Sequence, residues 1–243
     1  MQLRICENYD ELSSAAAREI ISVVVQKPDA VLCLAAGDTP RLTYSMLIRI
    51  VREEGIDFSK CTFIGLDEWM GIPPENDGSC QYFLRQQIFE PLNIFDDHIF
   101  LFDALTNTPE EECRKMDSVI SGKGGIDLML VGIGMNGHIG FNEPSESFGH
   151  YSHVVPLGED TKAVGQKYFR KQTTLTRGIT LGLTHLMEAK MALLLANGKK
   201  KADVIKRTLQ GDITPQLPAS ILRNHKHGLI IIDKDAASKL ETS

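Results

Sequence analysis

Two adjacent carboxylates follow an apolar run of strand length. Asp67 and Glu68 come directly after residues 62–66, and neighbouring side chains of an extended chain point in opposite directions. We expect Asp67 to face a site at the end of this strand, where partial burial would raise its pKa toward the range that suits a general base. A helix cap or a surface acid is the alternative interpretation of the pair.

A histidine and a glutamate lie on a glycine-rich loop after another predicted strand. Residues 132–144 read GIGMNGHIGFNEP, and His138 and Glu143 are part of this loop. Because the loop has no helical period, the two side chains are free to form a hydrogen bond. A carboxylate orients an imidazole and keeps it protonated. Such a pair could move protons to and from a ring oxygen.

Two predicted helix starts suit an anion. Residues 37–40 (GDTP) follow a strand, where free N–H groups and the helix dipole favour negative charge. The same residues also form ordinary turns, and Asp38 would repel a phosphate unless its side chain points away. Lys199, Lys200 and Lys201 stand at another helix start, where an anionic ligand would explain them and a solvated charge run is the alternative.

The glycines of the same loop also match a dinucleotide-binding pattern. Gly132, Gly134 and Gly137 spell G-x-G-x-x-G, and Glu159 follows at roughly the expected distance. That pattern requires a helix after the last glycine, whereas the residues that follow include further glycines and a proline and lack an apolar 3.6-residue period. We therefore expect no nicotinamide cofactor.

Histidine spacing gives no metal prediction. The close pairs are His150 with His153 and His225 with His227. Neither pair has carboxylates at ligand spacing, so surface histidines are the simpler interpretation. We expect no metal.

Strands that alternate with helices must position these residues. Strand-length apolar runs cover residues 30–35, 62–66, 99–102, 126–133, 153–157, 178–183, 191–196 and 229–232, and helical patterns cover residues 12–24, 41–54, 81–89, a stretch from Pro109, 200–209 and 219–224. Strands that are apolar on both faces predict an α/β fold with a doubly wound, mostly parallel sheet and helices on both faces. Ligands of such sheets bind at the carboxyl ends of the strands. No linker or repeat divides residues 1–243, so we predict one domain.

Composition excludes several classes of protein. The chain has 243 residues, of which 42% are hydrophobic and 24% charged, and its net charge is −6. This size supports a core without disulfides, and the acidic balance argues against a nucleic-acid partner. The apolar runs are shorter than the about 20 residues of a membrane helix. Five cysteines without a C-x-x-C pair are typical of reduced thiols, and the N-terminus lacks a signal-peptide pattern, so we expect no membrane partner and a cytoplasmic location.

Three segments together carry a family resemblance. AAGDTP (residues 35–40), LDEW (66–69) and GIGMNGHIGFNEP (132–144) resemble the glucosamine-6-phosphate deaminase/isomerase family nearly from end to end of the chain. LDEW and TRGITLGL (176–183) are most similar to its galactosamine-6-phosphate isomerase branch. The resemblance implies a cofactor-independent aldose–ketose isomerisation. Ammonia would leave C2 of a 2-amino-2-deoxyhexose 6-phosphate, and a ketohexose 6-phosphate would form.

The resemblance also implies roles for individual residues. Asp67 matches the base that moves a proton between C1 and C2, His138 matches the residue that helps to open the pyranose ring, and Glu143 matches the partner of that histidine. Asn136 stands where some relatives have aspartate, so Glu143 alone would support His138. The implied substrate-binding residues, which include a phosphate site on the glycine loop and the lysines, are Ala36, Gly37, Asp38, Thr39, Glu68, Gly137, Lys167 and Lys201.

Three of these positions depart from the family pattern. Ala36 and Asp38 replace the usual threonine and glycine of the phosphate loop, which removes a hydroxyl and adds a charge. Lys167 stands where the family often has arginine, and lysine lacks the two-pronged geometry of a guanidinium. Phosphate affinity or sugar preference is therefore expected to differ.

Several alternatives remain open from the sequence. Glucosamine 6-phosphate, with fructose 6-phosphate as product, is the alternative to galactosamine 6-phosphate and tagatose 6-phosphate. A 6-phosphogluconolactonase would need a water-activating histidine but no carbon base, and a non-catalytic sugar-phosphate sensor would need neither. The resemblance allows a homo-oligomer, and the short chain favours a small assembly.

Overall fold

The computed structural model describes residues 1–145 and 147–241. Its strands and helices are, in chain order, β1 (Gln2–Cys6), α1 (Tyr9–Gln26), β2 (Val31–Leu34), α2 (Asp38–Glu54), β3 (Thr62–Gly65), β4 (Asp67–Trp69), α3 (Cys80–Leu84), β5 (Ile99–Phe100), α4 (Pro109–Gly122), β6 (Leu128–Val131), β7 (His153–Pro156), α5 (Glu159–Gly165), β8 (Arg177–Thr180), α6 (Leu183–Glu188), β9 (Met191–Ala196), α7 (Ala202–Gln210), β10 (Gly228–Asp233) and α8 (Lys234–Ala237). A π-helix (Arg85–Phe89) continues α3, and short 3-10 helices cover Asp96–His98, Gln166–Tyr168, Lys199–Lys201 and Pro218–Asn224.

Seven parallel strands form the central sheet in the order β1-β10-β9-β6-β2-β3-β5. Every residue of β2, β3 and β6 is buried, which explains why these segments are apolar on both faces. Helices cover the sheet, and the prediction of a mostly parallel α/β fold is confirmed.

Local sequence signals set the ends of the long helices. The side chain of Asn8 accepts a hydrogen bond from the backbone N–H of Glu11 at the start of α1, and α1 ends just before Pro28. Helix α2 ends at Gly55, which adopts the left-handed conformation with φ +66°. Pro109 opens α4, and three glutamates follow it in the first turn. These ends agree with the sequence prediction to within about three residues.

A second, antiparallel sheet consists of β4, β8 and β7. The sequence predicted strands near β7 and β8 but counted them with the parallel sheet, which is a correction. The physical reason is that β4 begins after the single residue Leu66, so the chain leaves the central sheet at this point and pairs with β8 instead. A small apolar cluster that includes Trp69, Phe141 and Phe169 packs against this sheet.

Two further differences concern secondary structure. Strand β1 was not predicted, because it lies at the edge of the sheet and four of its five residues are exposed, so the segment lacks the apolar run of a buried strand. The helix predicted over residues 219–224 is a 3-10 helix.

Among the described residues, no helix combines the length and apolar character needed to span a bilayer. All five cysteines are buried and unpaired with one another.

Candidate active site

A cavity of about 490 Å³ opens where the carboxyl ends of the parallel strands meet the second sheet. The loops after β2, β3 and β6 contribute to its walls, as do the loop before α3, helix α5 and the 3-10 helices Gln166–Tyr168 and Lys199–Lys201. Asp67 and His138 both line this cavity. The two groups proposed for proton transfer therefore face the same space.

Asp67 is half-buried at the start of β4, where it pairs in register with Thr180 of β8. The backbone of Gly140 packs against it: Gly140 has φ +55°, and a Cβ on this residue would lie 3.3 Å from Asp67 Oδ2 and 2.7 Å from Thr180 Oγ1. Burial raises the pKa of Asp67 to about 7, and the negative charge of Glu68 raises it further. A hydrogen bond from Cys80 acts in the opposite direction. At neutral pH this carboxyl can both accept and return a proton.

Glu68 lies on the opposite side of the strand and does not line the cavity. Its carboxylate is fully buried and accepts backbone N–H bonds from Trp69 (2.9 Å), Cys80 (3.0 Å) and Gln81 (2.9 Å). Burial raises the pKa of Glu68 to about 7, although these hydrogen bonds oppose the shift. The predicted contact of Glu68 with substrate is corrected: the residue holds the start of α3 against β4.

Asn136, His138 and Glu143 form a cluster on the loop after β6. Glu143 Oε2 lies 3.7 Å from His138 Nδ1 and accepts a hydrogen bond of 2.7 Å from the side-chain amide of Asn136. The carbonyl oxygen of the same amide accepts the backbone N–H of His138 at 3.1 Å. Asn136 therefore holds the glutamate and the histidine backbone together.

Thr161 of α5 completes this cluster. Its hydroxyl donates to Glu143 Oε1 and lies 3.2 Å from His138 Nδ1. A hydroxyl has one proton, so the ring nitrogen Nδ1 is the donor toward Thr161. In the neutral imidazole the other nitrogen, Nε2, is then the proton acceptor left for a ligand.

Glu143 remains ionised in this environment. Burial opposes its charge, but the nearby imidazole of His138 and the hydrogen bonds from Thr161 and Asn136 outweigh burial and lower the pKa of Glu143 to about 2. Glu143 itself does not line the cavity. It is placed to orient the imidazole rather than to touch a ligand.

The imidazole of His138 lies directly over Gly134. A Cβ at position 134 would come within 2.4 Å of the ring, far closer than atoms tolerate. The glycine at this position of the loop is therefore needed for the ring to reach its place.

Positive side chains meet at another part of the cavity. Gly37 caps the N-terminus of α2 without a side-chain hydrogen bond, and Lys167, Lys201 and Arg41 line the cavity near it. Lys201 Nζ donates to the carbonyl of Ile133 at 2.6 Å. Burial lowers the pKa of Lys201 to about 8, and the charge of Lys167 adds to this effect.

Nine of the twelve residues proposed for the site line the cavity: Ala36, Gly37, Asp38, Thr39, Asp67, Asn136, His138, Lys167 and Lys201. Glu143 lies behind His138, and Glu68 lies behind the strand. Gly137 also lies outside the lining residues, and its carbonyl accepts the backbone N–H of Ala219 at 2.9 Å. The predicted substrate contact of Gly137 is corrected in this respect: the residue shapes the loop.

Several cavity residues were missed by the sequence reasoning. Thr161 is the most important, and an isolated threonine in a helical segment carries no signal of its own. Tyr168 adjoins Lys167, whose Nζ lies 4.8 Å from the centre of its ring. Trp69 belongs to the LDEW motif and could have been found there. Cys80 lines the cavity at the start of α3.

The described residues do not bring metal ligands together. Over residues 1–145 and 147–241, no group of three or more His, Cys, Asp and Glu side chains comes together in a way that could hold a metal ion. The ring centres of His150 and His153 are 5.1 Å apart. After Gly137 the chain forms a turn and a short bridge between Ile139 and Asn142 instead of a helix, which is not the arrangement of a dinucleotide-binding turn.

Known proteins resemble the chain over its whole length. A family model described as glucosamine-6-phosphate isomerases/6-phosphogluconolactonase matches residues 7–231. A glucosamine-6-phosphate deaminase of Clostridium botulinum is 41% identical over 99% of this chain and 99% of its own. One from Clostridium perfringens is 40% identical over 99% and 100%.

Solved structures show the same fold. A structure described as a monomeric glucosamine-6-phosphate deaminase of the NagB superfamily superposes with a TM-score of 0.95 at 36% identity and covers 98% of this chain and 100% of its own. A 6-phosphogluconolactonase of Trypanosoma brucei gives a TM-score of 0.76 at 22% identity over 99% and 98%, which shows the fold alone. The chain is thus an enzyme that belongs to the family of glucosamine-6-phosphate isomerases and 6-phosphogluconolactonases.

Proposed function

We propose that the protein isomerises and deaminates a 2-amino-2-deoxyhexose 6-phosphate, and that it releases ammonia and a ketohexose 6-phosphate. The observation that carries this proposal is the single cavity lined by Asp67, His138, Lys167 and Lys201. A carbon base, a proton carrier for a ring oxygen and an anion grip are the parts that the reaction requires. The names of the related deaminases support the same assignment.

In the proposed mechanism, His138 first assists ring opening. Protonation of the ring oxygen and loss of the proton from the C1 hydroxyl convert the pyranose to the open aldehyde. Glu143 stays ionised because its pKa is lowered to about 2, so its carboxylate can orient the imidazole that carries the proton.

Asp67 then removes the proton from C2 and returns it to C1. Removal of the C2 proton gives an enolamine, in which the electron pair of the broken C–H bond forms the C1–C2 double bond and the aldehyde oxygen gains a proton. Protonation at C1 produces a 2-imine, and water adds to this imine and expels ammonia. A carboxyl with a pKa of about 7 can serve in both proton transfers near neutral pH.

The phosphate acts as a remote handle in this proposal. Lys201 and Lys167 line the cavity together with Gly37, which lies at the N-terminus of α2. Binding energy from a phosphate that does not react can orient C1 and C2 toward the base. Ala36, Gly37 and Thr39 are the proposed backbone neighbours of this group.

Two stereoisomers are candidate substrates. The related proteins are named glucosamine-6-phosphate deaminases, whereas the LDEW and TRGITLGL motifs resemble the galactosamine-6-phosphate branch, whose product is tagatose 6-phosphate. We favour galactosamine 6-phosphate on these motifs and keep glucosamine 6-phosphate as the alternative. The two sugars differ only in the configuration of the hydroxyl at C4.

The test is to supply both amino-sugar phosphates and 6-phosphogluconolactone separately, and to measure ammonia release and lactone hydrolysis. We expect ammonia from at least one amino sugar and no enzyme-dependent lactone hydrolysis. Ammonia release should fall by about two to four orders of magnitude in Asp67→Asn while the variant still binds the sugar phosphate. Lactone hydrolysis without ammonia release would overturn the proposal. The ratio of the kcat/KM values for galactosamine 6-phosphate and glucosamine 6-phosphate decides which of the two is the preferred substrate.

Assembly, domain organisation and location are separate proposals. We propose that residues 1–243 form one domain that works in the cytoplasm without a cofactor. A small homo-oligomer remains the expectation from the sequence, although the related solved deaminase is described as monomeric. Light scattering of the purified protein measures the assembly directly.

A further inference from the structure

A carboxylate lies among the positive groups of the cavity. Asp38, the first residue of α2, accepts a hydrogen bond from Lys167 Nζ at 2.6 Å, and its other oxygen lies 4.0 Å from the guanidinium of Arg41. All three side chains line the cavity. An acid is unexpected at a site that must attract a phosphate, because like charges at short range repel.

The pair joins two distant parts of the chain across the cavity. Asp38 begins α2, whereas Lys167 belongs to the 3-10 helix Gln166–Tyr168. The two side chains are 59% and 48% exposed. Asp38 is therefore free to turn into solvent without leaving a buried charge behind.

The second lysine is engaged differently. Lys201 Nζ donates to the carbonyl oxygen of Ile133 and is more deeply buried than Lys167. A carbonyl leaves the charge of an ammonium in place, whereas a carboxylate neutralises it. Of these two lysines, Lys167 is thus the one whose charge is matched by a carboxylate of the protein itself.

We propose that Asp38 pairs with Lys167 before a substrate binds and competes with the incoming phosphate for this lysine. This inference rests on the proposed function, in which the phosphate binds at this end of the cavity. A dianion that approaches Lys167 meets the carboxylate first and binds fully only when Asp38 turns away.

The competition favours a complete substrate over simple anions. A sugar phosphate gains further contacts at Asp67 and His138, and these contacts help to displace Asp38. Inorganic phosphate has no sugar and must displace the carboxylate unaided. Asp38 is therefore a specificity-determining residue that weakens the binding of small phosphoryl anions.

The test measures the affinity of inorganic phosphate by calorimetry, so it does not depend on the chemical step. Asp38→Asn removes the competing charge and should lower the Kd of phosphate by about two- to fivefold, the range of an exposed ion pair. The matched control is Asp160→Asn, because Asp160 is an exposed carboxylate on the same cavity. This control changes the net charge equally and should affect the Kd less.

A double-mutant cycle with Lys167→Gln isolates the pair. In that background, Asp38→Asn should change the Kd no more than Asp160→Asn does. The proposal is overturned if Asp38→Asn leaves the Kd unchanged, weakens phosphate binding, or matches its control in the wild-type background. If Asp38→Asn binds inorganic phosphate more tightly but wild type releases no ammonia, this inference is supported and only the proposed reaction is contradicted.

Discussion

Replacing Asp67 by asparagine should make the protein more stable above neutral pH and nearly inactive. The substitution keeps the shape of the side chain and removes only its ability to ionise. Wild-type protein must hold a partly desolvated negative charge next to the buried carboxyl of Glu68 at this pH, and the variant does not. The ionised carboxylate of Asp67 is thus required for turnover but lowers the stability of the folded protein.

The size of this effect follows from the pKa. The pKa of Asp67 is raised from 3.8 to about 7. This difference of roughly three corresponds to about 1.4 kcal/mol for each pKa unit. The resulting upper bound of about 4 kcal/mol is reduced because Asp67 is half-buried and faces water in the cavity, which leaves about 1–2 kcal/mol.

The stability difference between wild type and Asp67→Asn depends on pH. The folded protein keeps the Asp67 proton to a higher pH than the unfolded chain does, so this contribution to stability is fully present below about pH 4 and is lost as the pH rises to about 7. The advantage of Asp67→Asn should therefore grow between these values and stay constant above them.

Urea denaturation of both proteins at about pH 4.5, 6 and 8 measures this difference, and ammonia release at about pH 8 measures turnover. We expect kcat to fall by about two to four orders of magnitude. A variant that is less stable than wild type at about pH 8, or equally stable at every pH, would refute the argument that burial raises this pKa.

Three other predictions concern groups around the site. Glu68→Gln removes a negative charge beside the base, so the acidic limb of the kcat profile should move to lower pH; an unmoved limb would show that Glu68 only anchors the backbone. Thr161→Val should lower kcat about tenfold, or about 1.4 kcal/mol, with little change in KM, because His138 loses its link to Glu143; Thr161→Ser is the control and should keep most of the rate. In wild type, kcat/KM should fall as the pH rises past about 8, where Lys201 loses its charge. The variant Lys201→Met should have a raised KM and should lack this basic limb of the pH profile. If the limb persists in the variant, it belongs to another group.

Much of the fold was predictable from hydrophobic patterning. Strands β2 and β6 are buried on both faces and have no polar residues that obscure the pattern, and β3 is equally buried with Thr62 as its one polar side chain. The rule that ligands bind at the carboxyl ends of parallel strands then pointed to the correct edge of the sheet. Asp67 comes just after β3, and His138 lies on the loop after β6, so the rule alone predicted that they meet in one cavity.

Other features depend on contacts between distant segments. The hydroxyl of Thr161 matters only because α5 brings it to His138 and Glu143. The direction of the Glu68 side chain depends on the N–H groups of Cys80 and Gln81, twelve and thirteen residues away. Alternation along β4 indicated that one of the two acids faces the site, but tertiary structure decides what the other one binds.

The pairing of β4 with β8 also bears on the order of folding. Asp67 and Thr180 meet across this antiparallel pair although two strands of the parallel sheet, β5 and β6, lie between them in the sequence. Contacts of such long range form late, because a large loop must close first. After dilution from denaturant, recovery of turnover should therefore lag behind recovery of helical circular dichroism.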